Sequence, residues 1–367
     1  MIPLVDLKAQ HRQIATEVLA GFAAVLENTS FILGKEVAAF EQAFSAFTGV
    51  PHTIGVANGT DALELALRAV GVRPGDPVIL PANTFIATAL AAERAGAKVV
   101  LVDCDPTYQL IDVGQVERRL SAGVKAIMPV HLFGQCAPME ALVPIARAAG
   151  AHVIEDAAQA QGAKRNGTSA GGFGEIAGTS FYPGKNLGAY GDAGAVLTRS
   201  SDLAKKVRAL RNYGSEVKYF HPETGFNSRL DTLQAVVLNA KLKLLAQWNE
   251  QRRTAARRYD EQLAGVPGVQ LPQTLAGNEH VWHLYVVRVP NRDAVLKKLH
   301  DGGVGAGVHY PVPIHLQGAF AHLGHRSGDF PVAERAAEEI LSLPMFAEIT
   351  AEQQERVVDA LKKALKT

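Results

Sequence analysis

Cysteine, net charge and long apolar runs are all scarce in this sequence, and each shortage removes a class of explanation. Two cysteines in 367 residues, Cys104 and Cys136, cannot build a disulfide framework, and zinc-type spacing is absent. Cys104 follows the strand-like Val99-Val100-Leu101-Val102 and Cys136 sits in a Gly-Gln-Cys-Ala turn, so both read as buried, inert thiols. A formal net charge of +1, with no long basic run, leaves no electrostatic footprint for nucleic acid or an acidic membrane surface. No apolar run approaches the ~20 residues needed to span a bilayer. Asp6, Lys8, His11 and Arg12 interrupt any signal-peptide pattern. The expectation is a cytoplasmic protein with no metal, nucleic-acid or membrane partner.

What is present is ordinary for a globular enzyme: 47% hydrophobic and 20% charged residues, enough chain for two or three domain-sized units and a large core. Residues 1–12 read as an extended arm, followed by helices over 13–28 (stripe Ile14, Val18, Phe22, Val25) and 35–48. Strands near 53–57, 77–80, 98–102, 125–130 and 151–155 alternate with helices, which predicts a mainly parallel sheet with helices on both faces. A strand at 194–198 and a helix at 201–212 continue the pattern, and 213–229 lacks any period. Seventeen such residues suggest a functional loop. A helical pattern over 231–264, broken near Trp248, links to a smaller unit with strands at 281–289 and 304–309 and helices at 293–301, 332–341 and 351–365. The division predicted is 1–245 and 246–367. Gly303, Gly305 and Gly307 lack the dinucleotide spacing and read as a flexible bend.

Two stretches carry chemistry. In Gly178-Thr179-Ser180-Phe181-Tyr182-Pro183-Gly184-Lys185-Asn186-Leu187-Gly188-Ala189-Tyr190-Gly191, four glycines let the backbone turn and approach a ligand. A lysine pinned there can act as an amine nucleophile toward carbonyls, the attachment that pyridoxal phosphate (PLP) requires. Alone, Lys185 reads more readily as a solvated turn lysine. Upstream, Val153-Ile154-Glu155-Asp156 is an apolar strand ending in carboxylates, and ligands of open α/β sheets gather at such strand ends. Asp156 can cap a helix or pair with a protonated pyridine nitrogen. Asp156 followed 29 positions later by Lys185 is far more specific than either alone. Asn58-Gly59-Thr60-Asp61, between a strand and a helix, reads equally as an anion cradle and as an ordinary capped turn.

The sequence resembles the sugar aminotransferases of the DegT/DnrJ/EryC1/StrS type, PLP enzymes of aminotransferase fold type I. The resemblance runs from Ile2-Pro3-Leu4-Val5-Asp6-Leu7 through Glu155–Gln159 and Ser180–Gly188 to Phe226-Asn227-Ser228-Arg229-Leu230-Asp231 and His309–Gln317. It implies a large domain with a seven-stranded, mainly parallel sheet and a smaller C-terminal α/β domain. Lys185 would hold PLP and move protons, with Asp156 on the ring nitrogen. Gly59, Thr60 and Ser180 would bind the phosphate, Gln159 would lie beside the ring 3-oxygen, and Phe85 would stack on the ring. Without the resemblance Phe85 reads as core packing and Asn227 as a turn residue; with it, Asn227 reaches the phosphate of the neighbouring subunit's cofactor, so that a homodimer shares its sites.

Tyr182, His309 and Tyr310 are the implied substrate residues. The implied substrates are L-glutamate and a nucleotide-linked keto-sugar. The Tyr310-Pro-Val-Pro-Ile-His-Leu-Gln form resembles members that aminate C3 of the hexose; a C4-aminating member is the alternative. A PLP-dependent sugar dehydratase would carry histidine at Lys185, and a non-catalytic regulatory homologue would have lost Asp156 or Lys185. Gln161 stands where many members have histidine, which puts any proton relay there in doubt.

Overall fold

The computed structural model describes residues 1–121 and 123–366; Ala122 and Thr367 lie outside it. Helices α1 (Leu7–Asn28) and α2 (Lys35–Thr48) precede β1 (His52–Val56). Strands and helices then alternate through α3 (Gly59–Ala69), β2 (Pro77–Pro81), α4 (Ile86–Arg94), β3 (Lys98–Val102), α5 (Val113–Arg119), β4 (Ala126–Ile127), α6 (Met139–Ala148) and β5 (His152–Asp156). A hairpin of β6 (Lys164–Arg165) and β7 (Thr168–Ser169) leads to β8 (Ile176–Ser180), β9 (Gly194–Thr198) and α7 (Ser201–Leu210). After α8 (Thr232–Leu263) come β10 (Asn278–Glu279), β11 (Tyr285–Arg288), α9 (Arg292–Asp301), α10 (Pro331–Glu339), β12 (Ile340–Leu343) and α11 (Ala351–Leu365).

The seven-stranded sheet has the order β1-β9-β8-β5-β4-β2-β3, and β9 alone runs against its neighbours. The central residues of its strands are mostly apolar because helices cover both faces. Val78, Leu80, Ile154 and Val196 pack on the α3, α4 and α7 side, among Leu63, Ala89 and Val207. Their chain neighbours Ile79 and Val153 pack against α5 and α6, while Ala177 and Leu197 pack against α2 and α8. Because β1, β2, β5 and β8 point the same way, their carboxyl ends open on one edge, where ligands of such sheets bind.

The second unit is built on the antiparallel pair β11–β12, register Tyr285↔Leu343, with α9 and α11 against it. Helix α8 contributes to both cores along its length: Leu238, Leu242 and Leu245 join Phe40 and Phe44, whereas Ala255, Ala256, Tyr259 and Leu263 join Tyr285 and Val287. The break expected near Trp248 does not exist. Trp248 is buried, donates to Gln13 Oε1 at 3.2 Å, and is held by α1 in an unbroken helix.

Other expectations are also corrected. The N-terminal arm stops at Asp6, whose carboxylate accepts from the amides of Lys8 and Ala9 at 3.0 Å and starts α1 six residues earlier than read. Strand 281–289 shrinks to β11, 304–309 keeps isolated bridges, and the helix read to 341 ends at Glu339 where Ile340 enters the sheet. The glycines at 303–307 are no flexible bend. Gly305 donates to the carbonyl of Ile2 at 2.7 Å, and a Cβ there would lie 2.9 Å from the Leu4 nitrogen, so they leave room for the arm. The segment 213–229 is closed at its base, since the Tyr213 amide donates to the Phe226 carbonyl and the Phe226 amide to the Leu210 carbonyl.

Candidate active site

At the carboxyl edge of the sheet a cavity of about 580 Å³ collects residues from both units. Asp156 ends β5 almost fully buried. Its Oδ2 accepts from the Thr88 hydroxyl at 2.7 Å and its Oδ1 from the Ala158 amide at 3.1 Å. Thr88 Oγ1 lies 2.8 Å from Thr84 Oγ1, so a chain of two hydroxyls from α4 and the turn before it fixes the carboxylate plane. Burial pushes the Asp156 pKa up, although the bonds from Thr88 and Ala158 and the charges of Lys185 and His131 pull it down. Among the described residues no cation pairs with it, which is the condition of a buried carboxylate awaiting a cationic ligand.

Lys185 follows the Pro183-Gly184 turn, which is closed by its own amide on the Tyr182 carbonyl at 2.8 Å. Its remaining exposure is to the cavity, so its ammonium is largely stripped of water. That desolvation lowers its pKa to about 8 against the opposing attraction of Asp156. An amine with this pKa is partly neutral near pH 7, as a nucleophile or base must be. Next door, Asn186 is buried and donates to Asn249 Oδ1 and the Val281 carbonyl, both at 2.9 Å, which ties the lysine loop to α8 and to the second unit.

Gly59 and Thr60 open α3, where Asn58 Oδ1 caps the Asp61 amide at 2.8 Å and the first amides of the helix lack intrahelical partners. A Cβ on Gly59 would lie 2.6 Å from the Ser180 Cβ, so only glycine lets the α3 terminus and the end of β8 close into one cradle. This concave, amide-rich wall suits a phosphate. Phe85 is half exposed, which removes the core-packing alternative. Its ring centroid is 5.1 Å from that of Tyr310. Gln159 donates to the Tyr310 hydroxyl at 3.0 Å while its buried Oε1 has no partner.

His309 and Tyr310 reach in from the second unit, with His309 Nδ1 2.8 Å from Ser342 Oγ. Burial, and then the charge of Lys185, lowers the His309 pKa to about 4, so its ring is neutral. Burial and Asp156 raise that of the Tyr310 phenol, and the bond from Gln159 opposes them. Tyr182 is exposed on the cavity rim.

Of the residues named from the sequence, the cavity brings together all but Asn227. That residue is exposed, bridges to Asn212 and does not line this chain's cavity. Its neighbour Ser228 is buried and donates to Asp61 Oδ2 at 2.8 Å, which anchors the loop behind α3. Gln161 is inward and structural: its Nε2 meets Thr179 Oγ1 at 3.0 Å and the Ser180 carbonyl at 2.8 Å. Sequence reasoning missed Leu4, Val5, Thr84, Asp192, His283 and Leu284 on the cavity wall and Thr88 behind Asp156. Only the Thr84–Thr88 spacing of one helical turn carried any local signal.

Asp156 and Lys185 lie in one cavity beside a glycine-opened helix terminus, an arrangement whose chemistry suits PLP. The model of the DegT/DnrJ/EryC1/StrS aminotransferase family matches residues 12–362. A pleiotropic regulatory protein of Geobacillus stearothermophilus is 47% identical over 98% of this chain and 97% of its own length. UDP-N-acetyl-3-dehydro-alpha-D-glucosamine 3-aminotransferase of Acidithiobacillus ferrooxidans is 45% identical over 99% and 98%. The crystal structure of S. venezuelae DesV in complex with a ketimine intermediate matches with a TM-score of 0.97 at 43% identity, over 100% of this chain and 99% of that one. The chain belongs to the DegT/DnrJ/EryC1/StrS aminotransferase family.

Proposed function

We propose that this protein is a PLP-dependent aminotransferase that converts a nucleotide-linked 3-keto-hexose to the amino-sugar, with L-glutamate as amino donor. The observation that carries this reading is the pairing of Lys185 and Asp156 in one cavity of a family member. The residues fit the cofactor: an unpaired buried carboxylate for the ring nitrogen, the orphaned Gln159 Oε1 for the ring 3-oxygen, and the Gly59–Thr60–Ser180 cradle for the phosphate. When bound, PLP supplies an electron sink that stabilises negative charge on the substrate carbon.

The chain's own residues would do the rest. Lys185 would hold the cofactor, and its free amine would carry a proton to and from the substrate carbon as general base and acid. A pKa near 8 balances those two duties around neutrality. Asp156, oriented by Thr88 and Ala158, would keep the ring nitrogen protonated. Phe85 and Tyr310 would flank the ring, and His309 and Tyr182 would serve the sugar.

The regulatory name of the Geobacillus relative favours no second reading here, because Lys185 and Asp156 are both in place. The family resemblance and the 3-aminotransferase relative favour C3 over C4 amination. The division into 1–245 and 246–367 is supported by the change of core along α8. A cytoplasmic setting is supported by two buried free cysteines, and no described helix is long and apolar enough to cross a membrane.

The purified protein should be yellow, lose that colour with glutamate, and regain it with one member of a panel of dTDP- and UDP-linked 3-keto and 4-keto sugars. A protein that takes up no PLP sinks the assignment. The active unit is a homodimer in which Asn227 completes the partner's phosphate site, supported by its exposure away from its own cavity. Mixing inactive Lys185→Ala with impaired Asn227→Asp protein should restore part of the activity, since one site of the heterodimer carries neither defect. Exchange of subunits without recovery would place Asn227 in its own subunit's site.

A further inference from the structure

The buried histidines of this protein satisfy their rings in different ways. His131 uses both nitrogens: Nε2 lies 2.9 Å from Glu155 Oε2, and Nδ1 accepts from the Ala137 amide at 3.0 Å. His315 has a sealed, partnerless Nδ1 and uses Nε2 to meet Glu334 Oε1 at 2.9 Å. His283 shares the sealed Nδ1 and is only 7% exposed. Among the described residues no carboxylate is hydrogen-bonded to its ring, and the residue opens instead on the cavity that holds Lys185. Orphaned buried N–H groups are rarer than under-used acceptors, so the ring proton belongs on Nε2. His283 is thus a donor with no acceptor among the described residues, lining the same cavity as the reacting amine.

Its position is rigid. Arg252 donates to the carbonyls of Trp282 at 3.0 Å and Met345 at 3.1 Å, and Asn186, next to Lys185, donates to Val281. On the opposite side Val281 donates to the Gly134 carbonyl at 2.9 Å, and a Cβ on Gly134 would lie 2.8 Å from the His283 nitrogen. The main chain that carries the ring is therefore locked to the lysine loop. Burial, with the charges of Lys185 and Arg252, holds the imidazole far below its ordinary pKa, so it is neutral.

We propose that His283 is a further catalytic residue, whose Nε2–H donates a hydrogen bond to the substrate oxygen at the carbon where nitrogen and oxygen are exchanged. The inference rests on the aminotransferase reading. As water releases the keto product, its oxygen bonds to that carbon while the carbon–nitrogen bond breaks, and both water protons end on the nitrogen. The oxygen gathers negative charge on the way, and a fixed neutral donor stabilises it without giving up its proton. The same donor serves the reverse exchange when the keto-sugar enters.

The test separates proton transfer at carbon, which is the work of Lys185, from the oxygen step. With wild-type holoenzyme and L-glutamate in D2O, both α-proton exchange and 2-oxoglutarate formation should be seen. In His283→Leu, 2-oxoglutarate formation should fall about 10²-fold, the range of one lost oxyanion donor, while α-proton exchange stays near the wild-type rate. His283→Gln, which retains an N–H donor, should recover most of the loss. A parallel fall in exchange and product overturns the proposal, because His283 would then act through Lys185 or the fold; so does an unchanged product rate. Wild-type enzyme that shows neither signal refutes the glutamate-dependent reading instead. Should the leucine variant not fold, the ¹⁵N resonances of the ring in wild-type holoenzyme decide. A neutral Nε2–H tautomer is expected between pH roughly 6 and 9, and an Nδ1–H or cationic ring overturns the proposal.

Discussion

Lys185 and Lys241 share a depressed pKa of about 8 and sit in regions that otherwise differ completely. Lys241 lies in the first third of α8, 2% exposed beneath α1. Its ammonium donates to Gln10 Oε1 at 2.9 Å and lies 5.0 Å from the centroid of the Tyr190 ring, with Glu348 as its distant counter-charge. Every direction around it is occupied by protein. Lys185, partly exposed, reaches the same value through the walls of a cavity, and the space in front of it is open to a ligand and faced by Asp156. Burial alone makes a reactive-looking lysine. A site needs in addition reachable space and a second group whose charge the ligand completes.

The sharpest test of that contrast is substitution. Lys185→Ala should reduce transamination to background, because no other group can form the covalent link, whereas Lys241→Met should keep turnover within about tenfold of wild type. Steady-state assays decide, and the contrast breaks if the two variants lose activity equally. The counter-charges should diverge in the same way. Asp156→Asn should still take up PLP but lose about 10²- to 10³-fold in turnover, while Glu348→Gln changes it little. Near wild-type rates in the Asn variant would reduce Asp156 to a structural carboxylate.

Stability should respond to both lysines, because both carry the same lowered pKa. A lysine with a folded pKa near 8 and an unfolded value of 10.5 binds more protons unfolded than folded between those limits, so stability rises with pH across that window. Denaturant titrations of the cofactor-free protein should show this rise, and Lys241→Met should remove up to about 3 kcal/mol of it. The same slope in that variant would mean that Lys241 is hydrated in solution. The smallest expected effect lies at the site. The rate of PLP attachment to the apoprotein should titrate with a midpoint near pH 8. Because Asp156 raises the Lys185 pKa, Asp156→Asn should move that midpoint down, by about one unit or less. An upward move would reverse the assigned electrostatics.

The large unit was legible because its signals are local. Val78–Leu80 and Val153–Ile154 are short, doubly apolar strands between helical periods, and that rhythm forces a parallel sheet with its strand ends on one edge. Asp156 and the Lys185 loop could be read as strand-end features for the same reason. The second unit was less legible. Ile340 continues the helical stripe of α10 as well as it begins β12, and only pairing with Arg288 decides between them. Trp248 looked like an interruption in a long helix, until α1 supplied Gln13 for its indole.

What the sequence by itself determined is the set of chemical types and the edge of the sheet that presents them: a carboxylate at one strand end, a lysine on a glycine-lined turn, and a glycine at a helix start. Those follow from backbone propensities and hydrophobic period, which act over a few residues. Only the tertiary structure decided which far-off side chains close the cavity. Leu4 and Val5 arrive along a glycine track, and His283, His309 and Tyr310 come from the second unit, each more than a hundred residues along the chain from Asp156. It also decided that Lys185 and not Lys241 faces open space. Both outcomes depend on how whole elements pack, and packing joins residues whose separation in sequence carries no periodic trace.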